Sequence, residues 1–327
     1  MALVAVTDHV FPDLDLERGM LAAAGHDLRY EANASTPDDV AKTVDGADAV
    51  LNCYAPIPPE VTREMRACRI IARYGIGLDT IDIAVATEAG IIVTNVPDYC
   101  VDEVSDHALA LILALGRGVV RLDRAVRDGG WRPMDAAPVH RLRGRTLGLV
   151  GFGRIARALA GKATAVGFRV VAHDPFLADQ AIASGGAVPV DLATLLGSAH
   201  VVSLHAPLTA ETHHLIGPGE LAAMRDGAML VNTSRGGLVD LGALRHAMDA
   251  GRLGGAALDV LENEPPTPDD PLLARPDVVI TPHASFYSEE SVVELQRKAT
   301  EQVIEALAGR VPPYAVNAAE LGLTGRA

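Results

Sequence analysis

The chain has 327 residues, 49% of them hydrophobic and 21% charged, which is ample for a buried core and more than one ordinary domain needs. Lys and Arg number 28 against 42 Asp and Glu, a net charge of −14 at pH 7, and a field of that sign repels nucleic acid and anionic membrane. Aromatic residues make up only 4%, with Ala, Val, Leu and Gly prevailing, which suits layered βα units rather than an aromatic-rich sandwich or a base-stacking RNA reader.

The longest apolar stretch, Ala108 to Leu115, is far shorter than the ~20 residues that cross a bilayer. The N-terminus, Met1 to Val6, has no basic region and runs straight into Thr7-Asp8-His9, so no secretory signal is expected. Cys53, Cys68 and Cys100 are odd in number and lack metal-ligand spacing, as suits a reduced, cytoplasmic protein without a metal site.

Short β-branched runs alternate with helical patterns from the start: Leu3 to Val6, Ala49 to Asn52, Arg69 to Ala72 and Ile91 to Thr94 are predicted parallel strands. Asp102 to Asp128 follows as one long amphipathic segment, with acidic residues at its start and Gly129-Gly130 at its end, and is predicted as a single crossover helix. A second βα series then begins, with strands at Thr146–Val150, Arg169–His173, Val201–Leu204, Met229–Asn232, Ala256–Leu258 and Val278–Ile280, and a helix over Arg154–Val166. The last pattern, Ser288 to Leu307, is one amphipathic helix that needs an apolar surface to cover, and it is placed back on the first domain. The expected fold is therefore α/β, with two doubly wound parallel-sheet domains. Residues 1–100 and 287–327 form a flavodoxin-like domain, and 101–286 form an inserted nucleotide-binding one.

Gly151-Phe152-Gly153-Arg154-Ile155-Ala156 is a G-x-G-x-x-A sequence directly after an apolar strand and directly before a helix, the context that a dinucleotide fingerprint requires. Gly151 serves the tight turn, Gly153 lets the backbone approach a pyrophosphate, and Ala156 lets helix and strand pack while the helix N-terminus faces the anion. Without a ligand the same residues make a plain tight turn. Asp174 ends the next strand, where a carboxylate accepts from ribose hydroxyls and repels a 2′-phosphate, so NAD is favoured over NADP; otherwise it caps the turn before Pro175.

Three more strand ends carry chemistry. Asn232-Thr233-Ser234-Arg235-Gly236-Gly237 places an arginine among small residues, and a guanidinium there can grip a carboxylate bidentately and polarise a neighbouring carbonyl. Asp259 to Pro265 ends a strand in a burst of carboxylates, and Pro282-His283-Ala284-Ser285 ends another. A single histidine after a strand is as a rule structural, and a Glu before Pro is usually solvated, but on one crevice Glu264 would orient His283 and favour its charged form for proton donation.

At this point the chain resembles the D-2-hydroxyacid dehydrogenase family, in particular its C-terminal-binding-protein-like and phosphoglycerate-dehydrogenase-like branch. The residues that carry the resemblance span nearly the whole chain: Tyr74 to Asp79, Val96 to His107, the fingerprint at Gly151, Thr233 to Gly236, Asp259 to Pro265, and Pro282-His283 with Tyr287-Ser288-Glu289. The resemblance implies that Arg235 binds the substrate carboxylate and carbonyl oxygen, that His283 is the general acid/base, and that Glu264 pairs with it. It also implies cofactor contacts from Gly151, Gly153, Arg154, Ile155, Asp174, Pro207, Thr233 and Asp259, the last holding the nicotinamide carboxamide. Backbone N–H groups around Ile76 and Gly77 would cradle the substrate carboxylate, and Gly75 and Gly77 independently permit such a nest.

The expected function is NAD-dependent interconversion of a 2-oxo acid and a D-2-hydroxy acid, with the substrate docking between the domains, and a homodimer using the apolar helix Val104 to Val120. Leu78 and Thr80 stand where relatives often carry Val or Tyr and Asn, and Phe286 stands where the eukaryotic corepressor branch has Trp, so the acid's side chain stays open. Glu264 argues against the formate dehydrogenase branch, which uses Gln there. No Tyr is followed by Lys four residues on, which excludes the short-chain dehydrogenase pair, and the cysteines cannot form a zinc alcohol dehydrogenase site. The alternative is an NAD(H)-sensing interaction scaffold with little or no turnover, although no Pro/Ser-rich tail follows the last helix.

Overall fold

A computed structural model of the chain describes residues 1–323. It divides into two compact units, Met1–Tyr99 with Ser288–Ala327, and Cys100–Tyr287.

The first unit is a parallel sheet of β1 (Leu3–Val6), β2 (Asp27–Arg29), β3 (Ala49–Asn52), β4 (Ile70–Arg73) and β5 (Ile92–Thr94), in the order β2-β1-β3-β4-β5. That is the flavodoxin-like order. Helices α1 (Asp15–Ala23), α2 (Pro37–Val44), α3 (Pro59–Glu64) and α4 (Ile83–Glu88) make the crossovers. Strands β3 and β4 are buried along their whole length because both faces of a parallel sheet are covered.

The second unit begins with α5 (Val101–Arg117) and α6 (Val119–Arg127). The single helix expected over 102–128 is broken at Gly118, which takes a left-handed φ of 63° and caps α5. A Cβ there would lie 2.7 Å from that of Ala136, so glycine is demanded by packing as well as by dihedral. The apolar face of α5 is buried, with Ala108, Leu111, Ile112 and Leu115 in the core of this unit, whereas α6 buries none of its residues.

There follow β6 (Thr146–Val150), α7 (Arg154–Ala165), β7 (Arg169–His173), α8 (Asp179–Ser184), β8 (Val188–Pro189), α9 (Leu192–Ser198), β9 (Val201–Leu204), α10 (Pro218–Ala223), β10 (Ala228–Asn232), α11 (Leu241–Asp249), β11 (Leu253–Leu258) and β12 (Val278–Ile280). The strands form one seven-stranded parallel sheet in the order β12-β11-β10-β9-β6-β7-β8. The chain winds outward from β6 in one direction and restarts at β9 in the other, which places the topological switch point, where such sheets bind ligands, beside Val150.

The final helix, α12 (Glu289–Leu307), packs on β3, β4 and α1 of the first unit. Its Gln296 amide donates to both oxygens of the fully buried Glu17 carboxyl at 3.1 and 3.0 Å, and Tyr74 Oη donates to the same group at 2.9 Å. Burial raises the Glu17 pKa in spite of these bonds.

Candidate active site

Register is what assembles the site. Val150 pairs with Leu204, Leu204 with Asn232, Asn232 with Leu258 and Leu258 with Ile280, so β6, β9, β10, β11 and β12 end level with one another. Whatever follows each strand is delivered to one edge.

After β6, Gly151 adopts φ +86°, and a Cβ would meet the His205 carbonyl carbon at 2.8 Å, so only glycine fits. At Gly153 a Cβ would meet no protein atom, so protein packing does not demand glycine there; a ligand lying on the backbone would. Gly153 caps α7 without a side-chain hydrogen bond, which leaves the positive helix end to an anion, while Ala156 is fully buried behind it.

Asp174 holds this loop in shape. Its Oδ2 accepts from Phe152 N at 2.9 Å and its Oδ1 from Phe176 N at 3.0 Å. Arg154 is exposed on the first turn of α7 and Ile155 is half-buried beside it. The Pro207 carbonyl accepts from Thr212 Oγ1 at 2.7 Å. Thr233 Oγ1 is buried with no partner among the described residues, an orphaned hydroxyl at the strand edge. An open glycine cradle, an uncapped helix end and an unspent hydroxyl together fit a dinucleotide.

The turn after β10 is fixed by Asn232, whose amide donates to Arg235 O at 2.8 Å and accepts from Ser234 N at 3.0 Å. Arg235 is half-buried, and its Nη1 donates to Ser234 O at 2.8 Å. A Cβ on Gly236 would lie 1.9 Å from the Leu261 carbonyl carbon, so this turn sits directly on the loop after β11.

That loop carries Glu264, whose Oε1 accepts from Leu261 N at 2.9 Å and whose Oε2 lies 2.7 Å from His283 Nδ1. Arg235, Glu264 and His283 are thereby linked through one backbone segment. His283 takes a left-handed φ of 53°, rare for a residue with a side chain, and its N–H donates to Asp259 O at 2.7 Å. The Asp259 carboxylate is nearly fully buried and accepts from Thr281 Oγ1 at 2.5 Å, Ala284 N at 2.9 Å and Ser285 N at 2.9 Å.

In the first unit, Gly75 at φ +140° follows the buried Arg73, whose guanidinium fills the space that a Cβ would need. Asn95 Nδ2 donates to Ile76 O at 2.7 Å, and the amides of Ile76 and Gly77 donate to no atom among the described residues.

Several polar residues escaped the sequence reading. His205 follows β9 as His283 follows β12, with its Nε2 2.9 Å from Ser203 Oγ, and burial pushes its pKa down to about 4, so it is neutral beside the glycine turn. The strand-end position was the available signal. His107 closes the Val96 to His107 stretch that carries the resemblance but had no role assigned to it, and on α5 it reaches Thr281. His213, His214 and Glu262 are grouped closely enough to share a metal ion, but His214 Nε2 is already paired with Glu262 Oε1 at 2.5 Å.

Residues 109–285 match the family described as D-isomer specific 2-hydroxyacid dehydrogenase, NAD binding domain. The chain is 40% identical over 309 residues to a glyoxylate reductase of Korarchaeum cryptofilum, covering 92% of this chain and 93% of the relative. It is 38% identical over 268 residues to a D-3-phosphoglycerate dehydrogenase of Archaeoglobus fulgidus, covering 82% of this chain and 51% of that longer protein. Among solved structures, the TT0316 protein from Thermus thermophilus aligns with a TM-score of 0.87 at 38% identity, over 96% of this chain and 99% of that one. The chain thus belongs to the D-isomer specific 2-hydroxyacid dehydrogenase family, and the seven-stranded unit is its NAD-binding domain.

Proposed function

We propose that this protein reduces a small 2-oxo acid of the glyoxylate class to the corresponding 2-hydroxy acid, with His283 as the proton donor. The observation that carries the reading is the 2.7 Å contact between His283 Nδ1 and Glu264 Oε2, made on a loop that also seats the Arg235 turn. With Nδ1 committed to the carboxylate, Nε2 is the nitrogen that holds the transferable proton.

When bound, NADH supplies a hydride to the carbonyl carbon of the substrate. Arg235 grips the carboxylate and stabilises the negative charge that grows on the carbonyl oxygen, and His283 Nε2–H gives its proton to that oxygen. Glu264 keeps the imidazole oriented through Nδ1. Thr233 Oγ1 and the remaining lone pair of Asp259 Oδ2 are proposed for the cofactor, the latter for its carboxamide. The unspent amides of Ile76 and Gly77 are proposed for the substrate carboxylate, in what we take as the substrate domain. A homodimer is proposed as well, supported by the exposed apolar Val119, Val126, Trp131 and Met134 in and beyond α6.

The test is steady-state turnover of glyoxylate, pyruvate and hydroxypyruvate with NADH. His283→Ala should lower kcat by about 10²- to 10⁴-fold, and Arg235→Ala by about 10²- to 10³-fold with a raised KM, both with NADH affinity retained. Full activity in His283→Ala overturns the mechanism. Turnover of none of the acids by the unaltered protein would favour the NAD(H)-sensing scaffold.

A further inference from the structure

We propose that His107 is a positioning residue for the reaction, the outermost member of a hydrogen-bond relay that sets the backbone carrying His283. The inference rests on the reading of His283 as the proton donor.

The direction of each bond follows from counting hydrogens. Thr281 has one hydroxyl hydrogen, and its Oγ1 lies 2.5 Å from Asp259 Oδ1, an oxygen–oxygen contact that requires that hydrogen between them. Toward His107 Nε2, at 3.0 Å, Thr281 Oγ1 must therefore accept. His107 carries its hydrogen on Nε2, and the relay runs His107 Nε2–H to Thr281 Oγ1–H to Asp259 Oδ1. Asp259 then takes the N–H groups of Ala284 and Ser285 at 2.9 Å each, and its own carbonyl takes the N–H of His283 at 2.7 Å.

The loop from 281 to 285 is thus wrapped around one buried carboxylate, with His283 held in a left-handed conformation that a side chain does not adopt unaided. His107 comes from α5, far away in the chain, and its Nε2 lies 3.7 Å from Asp259 Oδ1, beyond direct hydrogen-bond distance, so its hold on the carboxylate passes through Thr281. Its action is to fix the rotamer of Thr281 and hence the seat of the loop, at one remove from Glu264 and the His283 imidazole.

The test separates a donor at the Nε2 position from mere bulk. In His107→Gln the side-chain amide nitrogen can stand where Nε2 stood, whereas in His107→Asn it stands one bond short. His107→Asn should lower kcat by about tenfold with KM and NADH affinity within about twofold, since small misplacement of a reacting group costs rate before binding. Hydrogen–deuterium exchange at the Ala284 and Ser285 amides should accelerate in the same variant. His107→Gln should restore both readouts to near the unaltered values. Unchanged kcat in His107→Asn, with or without faster exchange, overturns the proposal, as does equal loss in Asn and Gln. His283→Ala assayed in parallel keeps the two claims apart: full activity there removes the proton donor, while exchange at Ala284 and Ser285 reports the relay independently of chemistry.

Discussion

The two ends of the level strand edge in the NAD-binding domain are built by different means. Where β6 and β7 end, the parts are backbone: a left-handed Gly151, an open Gly153, an uncapped helix end, and Asp174 bracing the loop through two main-chain N–H groups. Where β10, β11 and β12 end, the parts are side chains, and Arg235, Glu264 and His283 are held by turns that press on one another. A pyrophosphate is the same in every turnover and can be met by fixed dipoles, whereas a proton has to be given away and taken back, which needs a titrating group on a rigid seat.

The sharpest way to break this contrast is Gly236→Ala. The new Cβ would collide with the Leu261 backbone, so the loop carrying Glu264 must shift. We expect kcat to fall by about 10²-fold with the NADH dissociation constant unchanged, measured by steady-state assay and fluorescence titration. Equal changes in both would mean that the two ends are not separable.

Gly151→Ala is the mirror experiment and a smaller one. It places a side chain at positive φ against the His205 backbone, and overpacking of about 1–3 kcal/mol should weaken NADH binding by roughly tenfold or more, while kcat at saturating NADH stays within about twofold. Asp174→Asn should have the least effect, because one acceptor oxygen remains. The ratio of kcat/KM for NADH over NADPH should fall by about fivefold, as expected for removing one partly screened repulsion of about 1 kcal/mol.

The backbone end was the more legible in sequence, because a glycine pattern set between a strand and a helix serves few purposes besides holding a phosphate group. The side-chain end was legible from the residues alone only as a coincidence of three strand ends, to which the family resemblance gave roles. What the sequence concealed falls into two kinds. Asp27–Arg29 and Val188–Pro189 are short strands at sheet edges, both too brief to show a period, and the first polar as well. The break at Gly118 was hidden because the apolar pattern continues past it, and the partner that demands glycine, Ala136, lies on a later turn. The pairing of His107 with Thr281 was hidden for the same reason: a polar side chain declares no partner until the fold brings one 174 positions away.

The return of α12 to the five-stranded sheet also orders the birth of the protein. A nascent chain that has just passed Tyr287 already contains the whole contiguous nucleotide half, which can fold as it leaves the ribosome. The other half then has all its strands but lacks the helix that covers β3 and β4, and Glu17 still waits for the amide of Gln296. The nucleotide half can therefore be complete before α12 is available to close the remainder.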